Sequence, residues 1–325
     1  MQLPGPSGNG GAAVPGLRSK AGLARAIREG RRAALVVNTR SRRGRRHYPA
    51  VLGQVRAAGF DLMGAFPAEE AGGLDASLTA AMDLQPDLLI VGGGDGSICE
   101  AARRLAYQDM AMGLVPLGTT NNFARTLGIP LTVVGAIGVL ASGKVADVDL
   151  GRAGSAIFAN LVSAGLSARV AASVPHQLKR VAGRAAYPLT ALAALPRHPA
   201  FHASITTGDR TYDLETHQLN IANGSFHAGR PITGDTSADD RLLLVYRLGG
   251  HGRGSLIGAT VGHAVRGARR SLAEPAFLAV SELLLDTDPP LPLDVDGEIR
   301  GHTPARIALA PEALRVLVDR GFPDT

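Results

Sequence analysis

Asp87-Leu88-Leu89-Ile90-Val91-Gly92-Gly93-Gly94-Asp95-Gly96-Ser97 is the stretch on which the fold turns. Asp87–Val91 is an uninterrupted apolar strand pattern that runs into a glycine-rich turn, and Ile98–Tyr107 then reads as a helix. A strand, a glycine turn and a helix in that order form the local unit of an open α/β sheet, which binds ligands beyond the carboxyl ends of its strands. Glycines let the backbone approach a phosphate, and the start of the helix offers free N–H groups and a positive dipole end. The turn lacks the G-K-[ST] ending of a P-loop, and it lacks the G-x-G-x-x-G spacing of a dinucleotide fingerprint. Asp95 therefore needs its own reason: to bind Mg²⁺, to orient a donor, or to accept a proton. The plain alternative is a tight turn with a capping Asp.

Working outward, the next strand is Met112–Val115, followed by Pro116-Leu117-Gly118-Thr119-Thr120-Asn121-Asn122-Phe123-Ala124-Arg125 and a short helix over Asn121–Leu127. Its hydroxyls and amides can donate to phosphate or ribose oxygens; Thr120 and Asn121 also read as ordinary N-caps. Two polar, glycine-containing loops at the ends of successive parallel strands would line one crevice. Upstream, Ala33–Asn38 reads as a buried strand, Tyr48–Ala58 as helix, Phe60–Ala65 as a weaker strand and Leu74–Met82 as helix. This alternation predicts a parallel sheet with helices on both faces. Beyond Lys144 the pattern changes to separated strand-like runs with turn residues between them, which predicts an antiparallel, β-rich second domain. Arg184–Arg197 and Leu256–Arg270 read as helical inserts. The expected division is a flexible basic tail over 1–30, a nucleotide-binding domain over 31–148 and a substrate domain over 149–320.

Composition excludes several classes. One cysteine in 325 residues rules out a disulfide framework and a Cys-based zinc site, and points to a reduced, cytoplasmic setting. No run of apolar residues reads as a transmembrane helix, and the first residues lack the pattern of a signal peptide. From Met1 to Arg46 eleven Lys/Arg face one acid, Glu29. That segment carries ten net positive charges while the whole chain carries +6, so the remainder is net −4. A basic arm of this kind suits phosphates or an anionic membrane surface. Aromatics are 4% and none interleave Arg18–Arg46, which argues against base stacking and against a nucleic-acid partner.

Four anchors make the sequence resemble the diacylglycerol kinase-like lipid kinases, a family that includes bacterial diacylglycerol and phosphatidylglycerol kinases and the sphingosine and ceramide kinases. Val37-Asn38-Thr39-Arg40-Ser41 resembles the family's first strand and N-P-x-S-G turn. GGGDGS with Ile98-Cys99-Glu100 resembles G-G-D-G-T-x-N-E, and PLGTTNNFAR resembles P-L-G-T-x-N-D-F-A-R. Asp294-Val295-Asp296-Gly297-Glu298 resembles the D-G-E near the family's C-terminus. The resemblance implies an N-terminal domain like those of NAD kinases and phosphofructokinases, a C-terminal β-sandwich, and a lipid entering between them. It implies ATP on Asn38, Gly93, Gly94, Asp95, Gly96, Ser97, Gly118, Thr119, Thr120 and Asn121. It implies a proton acceptor at Glu298, with Asp296 beside it and Asp95 as a further catalytic carboxylate. It also implies Mg²⁺, with Asp240, the Leu242 carbonyl and Asp149 as ligand positions. The implied partner is a membrane lipid met at an anionic surface, with peripheral contact at the inner membrane.

D-x-D-G-E presents three carboxylates on a turn made flexible by Gly297, and in an extended segment Asp294, Asp296 and Glu298 would share one face; the plain alternative is a solvated acidic turn. A carboxylate there could take the proton of a lipid hydroxyl as a γ-phosphoryl group transfers. The chain departs from the family pattern at Ser97 for Thr, Cys99 for Asn, Asn122 for Asp and Arg241 for Gly. These departures leave open a nucleotide-binding regulator without turnover, beside the lipid kinase and a soluble kinase of the NAD-kinase type.

Overall fold

The computed structural model describes residues 17–166, 199–224, 226–227, 230–231, 242–247 and 278–323. Asp240 and the two expected helical inserts lie outside the described residues.

The chain opens with α1 (Lys20–Gly30), β1 (Arg32–Val37), α2 (Arg42–Ala57), β2 (Asp61–Pro67), α3 (Gly73–Asp83), β3 (Leu88–Gly93), α4 (Asp95–Leu105), β4 (Ala111–Pro116), α5 (Asn122–Thr126) and α6 (Val133–Ser142). Strands β2, β1, β3 and β4 lie side by side and parallel. β1 and β3 are buried on both faces, as near-continuous apolar strands require. One face packs on α3, α4 and α5 through Leu78, Ile98, Leu105 and Phe123, and the other on α1, α2 and α6 through Leu23, Val51, Val55 and Ile137.

The flexible tail expected over 1–30 gives way to ordered structure from residue 17. Ser19 caps α1, and Leu23 and Ile27, four apart on one face, are buried. Arg18 binds Asp87 at 2.6 Å and Asp109 at 2.7 Å, while Lys20 pairs with Asp147 at 3.1 Å. Acids of the body thus take up part of the basic segment. α2 starts at Arg42, inside the basic run, because Ser41 Oγ accepts from Gly44 N and closes the first turn.

After α6 come β5 (Lys144–Ala153), β6 (Ala156–Phe158), β7 (Leu161–Gly165), β8 (Phe201–Thr207), β9 (Arg210–Thr216), β10 (Gln218–Asn223), β11 (Phe226–His227), β12 (Arg230–Pro231), β13 (Leu243–Arg247), β14 (Leu278–Val280), β15 (Glu282–Asp288), β16 (Pro292–Val295), β17 (Glu298–His302) and β18 (Ala305–Val318). A second, antiparallel sheet runs β14-β13-β10-β7-β16-β17. Its inner side chains, among them Val162, Ile221, Val245 and Leu293, meet Ile205, Leu283 and Ile307 of β8, β15 and β18 in a sandwich core.

The expected boundary near 147–149 falls inside β5, which pairs with β18 along nearly its whole length. β18 belongs to both parts of the molecule. Its first half pairs with β15 of the sandwich, and Arg315 and Val316 lie parallel to Ala111 and Met112 of β4. The span expected for the second domain therefore also completes the first sheet. Pro311 and Glu312, the latter at φ +49°, break the register between the halves, and Asp149 Oδ1 accepts from Glu312 N at 2.7 Å there.

Candidate active site

Three loops leave the carboxyl ends of β1, β3 and β4 on the same side of the sheet. Asn38 N donates to Gly92 O and Leu117 N to Gly93 O, so each loop starts in fixed register with its neighbour. Asn38 Nδ2 donates to Ser97 Oγ at 2.8 Å. The loops after β3 and β4 meet backbone to backbone: a Cβ on Gly118 would lie 2.4 Å from Gly94 Cα, and one on Gly94 would lie 3.1 Å from Gly118 Cα. Only glycine lets the loops keep these positions at Gly118, and Gly94 leaves little room for more.

Asp95, first residue of α4, reaches across to the second loop. Its Oδ2 accepts from Thr120 Oγ1 at 2.5 Å and its Oδ1 from Asn122 N at 2.6 Å. Thr120 and Asn121 are thus not conventional N-caps, because the first amide of α5 is capped from the neighbouring loop by Asp95. Asn121 is held at φ +49°, where its Oδ1 accepts from Gly118 N and its Nδ2 donates to Gly118 O. Its side chain shapes the loop instead of reaching into the crevice. Thr119 is exposed at the loop tip, and Gly96 is exposed in the first turn of α4.

These residues fit a phosphate-bearing nucleotide. The first turn of α4 begins at Gly94, which supplies no side-chain cap, so its leading N–H groups suit phosphate oxygens. Asn38 Oδ1 and Thr39 Oγ1 are buried without hydrogen-bond partners, which suits an acceptor and a hydroxyl waiting for ligand atoms. Arg43 Nη1 donates to Gly118 O at 2.7 Å and brings a cation to the rim. Arg42, Arg43, Arg45 and Arg46 crowd the start of α2 with no acid in its first turn. Cations at a helix N-terminus oppose the dipole, and a polyphosphate beside them would offset that repulsion. Thr39 lies in the first of the four anchors, whereas Arg43 was not singled out from the sequence; its signal was its place in the first turn of the helix that follows β1.

The D-x-D-G-E segment is a hairpin turn and not an extended run. Val295 pairs with Glu298 across a two-residue loop in which Asp296 has φ +51° and Gly297 φ +93°. Asp294, Asp296 and Glu298 therefore do not share a strand face. Asp294 Oδ1 accepts from Gly297 N at 2.7 Å and fixes the turn. Asp296 turns inward: Oδ2 accepts from Ala159 N at 2.6 Å, and Oδ1 from Asn160 N at 3.0 Å and Leu161 N at 2.9 Å. Burial pushes the Asp296 carboxyl above its ordinary value, and the three amides pull against that rise without cancelling it. Glu298 points outward and receives Arg300 Nη2 at 2.6 Å.

This turn faces α4. Gly96, Cys99, Glu100 and Arg103 on the helix and Asp296, Glu298 and Arg300 on the hairpin line one cleft. Asn160 Nδ2 donates to Cys99 Sγ at 2.9 Å, tying helix to sandwich. Burial, followed by the charges of Asp296 and Asp95, pushes the Cys99 thiol well above its usual value, so it serves as a neutral bridge. Although Cys99 stands where the family pattern has Asn, its thiol keeps a polar contact.

The expected metal positions are less unified. Asp149 holds the bend in β18 through Glu312 N, Leu242 is exposed ahead of β13, and Asp240 lies outside the described residues. Among the described residues no three His, Cys, Asp or Glu side chains converge as a metal cage. None of the described helices is long and apolar enough to cross a membrane.

Residues 32–153 match the family model of the diacylglycerol kinase catalytic domain, and residues 160–318 match that of the YegS C-terminal NAD kinase beta sandwich-like domain. A Staphylococcus epidermidis protein named "Diacylglycerol kinase" is 28% identical over 287 residues, covering 85% of this chain and 88% of that one. A Pseudomonas aeruginosa protein named "Probable lipid kinase YegS-like" is 32% identical over 240 residues, covering 72% and 78%. The crystal structure of a Bacillus anthracis diacylglycerol kinase superposes with a TM-score of 0.67 at 22% identity, covering 89% of this chain and 97% of the other.

Proposed function

We propose, from the premise that the chain belongs to the family of diacylglycerol kinases and YegS-like lipid kinases, that it transfers the γ-phosphoryl group of ATP to a hydroxyl of a diacylglycerol-like or sphingoid lipid. One observation carries the reading. Gly96, in the first turn of the helix that opens at the glycine-rich loop, and the outward carboxylate of Glu298 line the same cleft.

In this reading the ATP phosphates lie on the Gly93–Ser97 turn and the start of α4, with Arg43 at the rim. Asp95 orients the second loop through Thr120 and Asn122. Glu298 accepts the proton of the lipid hydroxyl as its oxygen bonds to the γ-phosphorus and the bond to the leaving ADP oxygen breaks. Asp296 is poorly placed for that task. A carboxylate has about four acceptor sites, and three amides plus the Cys99 thiol engage Asp296. Mg²⁺ accompanies ATP in such chemistry and neutralises phosphate charge. It is commonly held by one or two carboxylates together with the phosphates, so the absence of a cage among the described residues is compatible with it.

The deciding experiment incubates the protein with labelled ATP, Mg²⁺ and a total lipid extract, and in parallel with NAD. Label in a lipid phosphomonoester supports the reading. Label on NAD, or none in any lipid, overturns it.

A further inference from the structure

A second cavity, of about 650 Å³, adjoins the cleft at Glu298. Its walls come from α4, the β5–β6 hairpin, β16, β17 and the start of β18. Arg103, Arg300, His302 and Arg306 line it, and among the described residues no Asp or Glu does. The three guanidinium groups come from three separate elements. Each is steadied by a carboxylate outside the wall: Arg103 by Glu100, Arg300 by Glu298, Arg306 by Glu282 at 2.5 Å. Those pairs use only part of each guanidinium. Arg300 and Arg306 each give one terminal nitrogen, and Arg103 gives Nε and Nη2. A guanidinium carries five N–H donors in a rigid fork, so several donors remain at one concavity.

We infer that this cavity is an anion site that takes a phosphate ester. Guanidinium forks lining one cavity suit a tetrahedral oxyanion, which a fork can hold bidentately. A cavity of this volume exceeds what a bare phosphate ion fills and falls in the range of organic-ligand sites. Ile157 and Leu293 give it an apolar side suited to the carbon that an ester carries. The site is separate from the nucleotide turn. Arg103 lies eight residues beyond Asp95 on α4, about 12 Å along the helix axis at 1.5 Å per residue. It nevertheless borders the proposed chemistry, because Arg103, Arg300 and Ile157 line both the cavity and the cleft. Two sources can supply a phosphate ester: the headgroup of an anionic membrane lipid, or a soluble metabolite.

The test compares the full chain with Arg306→Glu and, as a milder change, Arg306→Gln. Arg306 is 67% exposed at its side chain and has no part in the cleft. Arg210→Glu, on exposed β9, imposes the same charge change elsewhere. One arm measures co-flotation with phosphatidylcholine vesicles containing 30 mol% phosphatidylglycerol (an arbitrary working fraction). The other measures binding of glycerol 3-phosphate by calorimetry. ATP affinity and melting temperature are recorded for every variant. The expected result is a roughly tenfold or greater loss for Arg306→Glu in at least one arm, a smaller loss for Arg306→Gln, and native behaviour for Arg210→Glu. Loss confined to vesicles assigns the lipid headgroup, and loss confined to calorimetry assigns the soluble ester. Unchanged binding in both arms overturns the site, as does an equal loss in Arg210→Glu, which would mean diffuse surface charge. Because neither arm measures phosphoryl transfer, failure here is distinguishable from failure of the kinase reading.

Discussion

Adding one methyl group at Gly118 is the sharpest way to test the crevice. The new Cβ would sit 2.4 Å from Gly94 Cα and 2.6 Å from Asn121 Oδ1. Non-bonded carbons rest at about 3.5–4.0 Å, so the two loops must part by roughly 1 Å or more. The nearest obstruction, Gly94 Cα, is backbone and cannot swing away. Overpacking of this kind costs about 1–3 kcal/mol, and the displaced Asn121 loses hydrogen bonds worth about 0.5–1.5 kcal/mol each. A misplacement of about 1 Å in a positioned site lowers rate by roughly 10²-fold. Gly94→Ala is the internal control: its Cβ stands 3.1 Å from Gly118 Cα, so relief needs only about 0.4 Å. The assay is phosphoryl transfer from labelled ATP, with ATP affinity by calorimetry and thermal melting alongside. Gly118→Ala should lose about two orders of magnitude in kcat/KM and bind ATP more weakly, while Gly94→Ala stays within about tenfold. Native ATP affinity in Gly118→Ala, or greater damage from Gly94→Ala, would refute the packing argument.

Glu298→Gln should lower turnover by about 10²–10⁴ while leaving ATP affinity and melting temperature unchanged; normal turnover would remove Glu298 as the base. Asp296→Asn should instead lower stability by about 1–3 kcal/mol in urea melts, because an amide nitrogen cannot accept from the N–H groups of 159–161. The raised Asp296 carboxyl adds a pH signature: its contribution is fully present below the unfolded value and is lost as pH rises through the folded one. The stability gap between native protein and Asp296→Asn should therefore narrow as pH rises from about 4, and a gap that widens would contradict the assigned direction. Deleting residues 1–30 should destabilise the protein by several kcal/mol, since Leu23 and Ile27 are buried and each contributes about 1.5–3 kcal/mol; an unchanged melting curve would restore the reading of a detached tail.

The first sheet was legible because its signals are local. The apolar run Asp87–Val91 entering glycines states both the strand and the turn, and β3 and α4 followed where expected. α1 was hidden by composition: its basic residues read as a tail, although Leu23 and Ile27 at i and i+4 already mark a buried helical face. The D-G-E segment was read as a turn whose carboxylates could face the cleft together, yet D-G is more specifically a strong sign of a two-residue hairpin with both φ values positive. That is what forms, and it reverses the facing of Asp296 and Glu298. Other features had no local signal. Asp95 caps a helix 27 residues away, and Cys99 meets Asn160 across 61 residues. β18 contains Pro311, a residue that argues against a central strand, and the strand accommodates it at the register break between its β15-paired and β4-paired halves, within one sheet.

The two carboxylates of the D-G-E turn differ because the hairpin gives them opposite duties. Asp296 is drawn into the amides of 159–161, the segment whose Asn160 also holds Cys99 of α4. That chain of contacts sets the distance between the hairpin and the helix that opens at the glycine turn. A carboxylate so fully engaged has few acceptor sites left to meet a substrate hydroxyl, and it makes a good anchor. Glu298, two residues on, inherits a fixed backbone position while its own carboxylate stays exposed and receives Arg300. A base must be positioned and still have acceptor sites available, and one residue of this turn supplies each requirement. If the division holds, Asp296→Asn should act on rate only as far as it moves Glu298. The double variant Asp296→Asn/Glu298→Gln should then be no slower than Glu298→Gln alone. A double variant slower by the product of the two single losses would mean that the carboxylates act independently, and the anchor reading would fail.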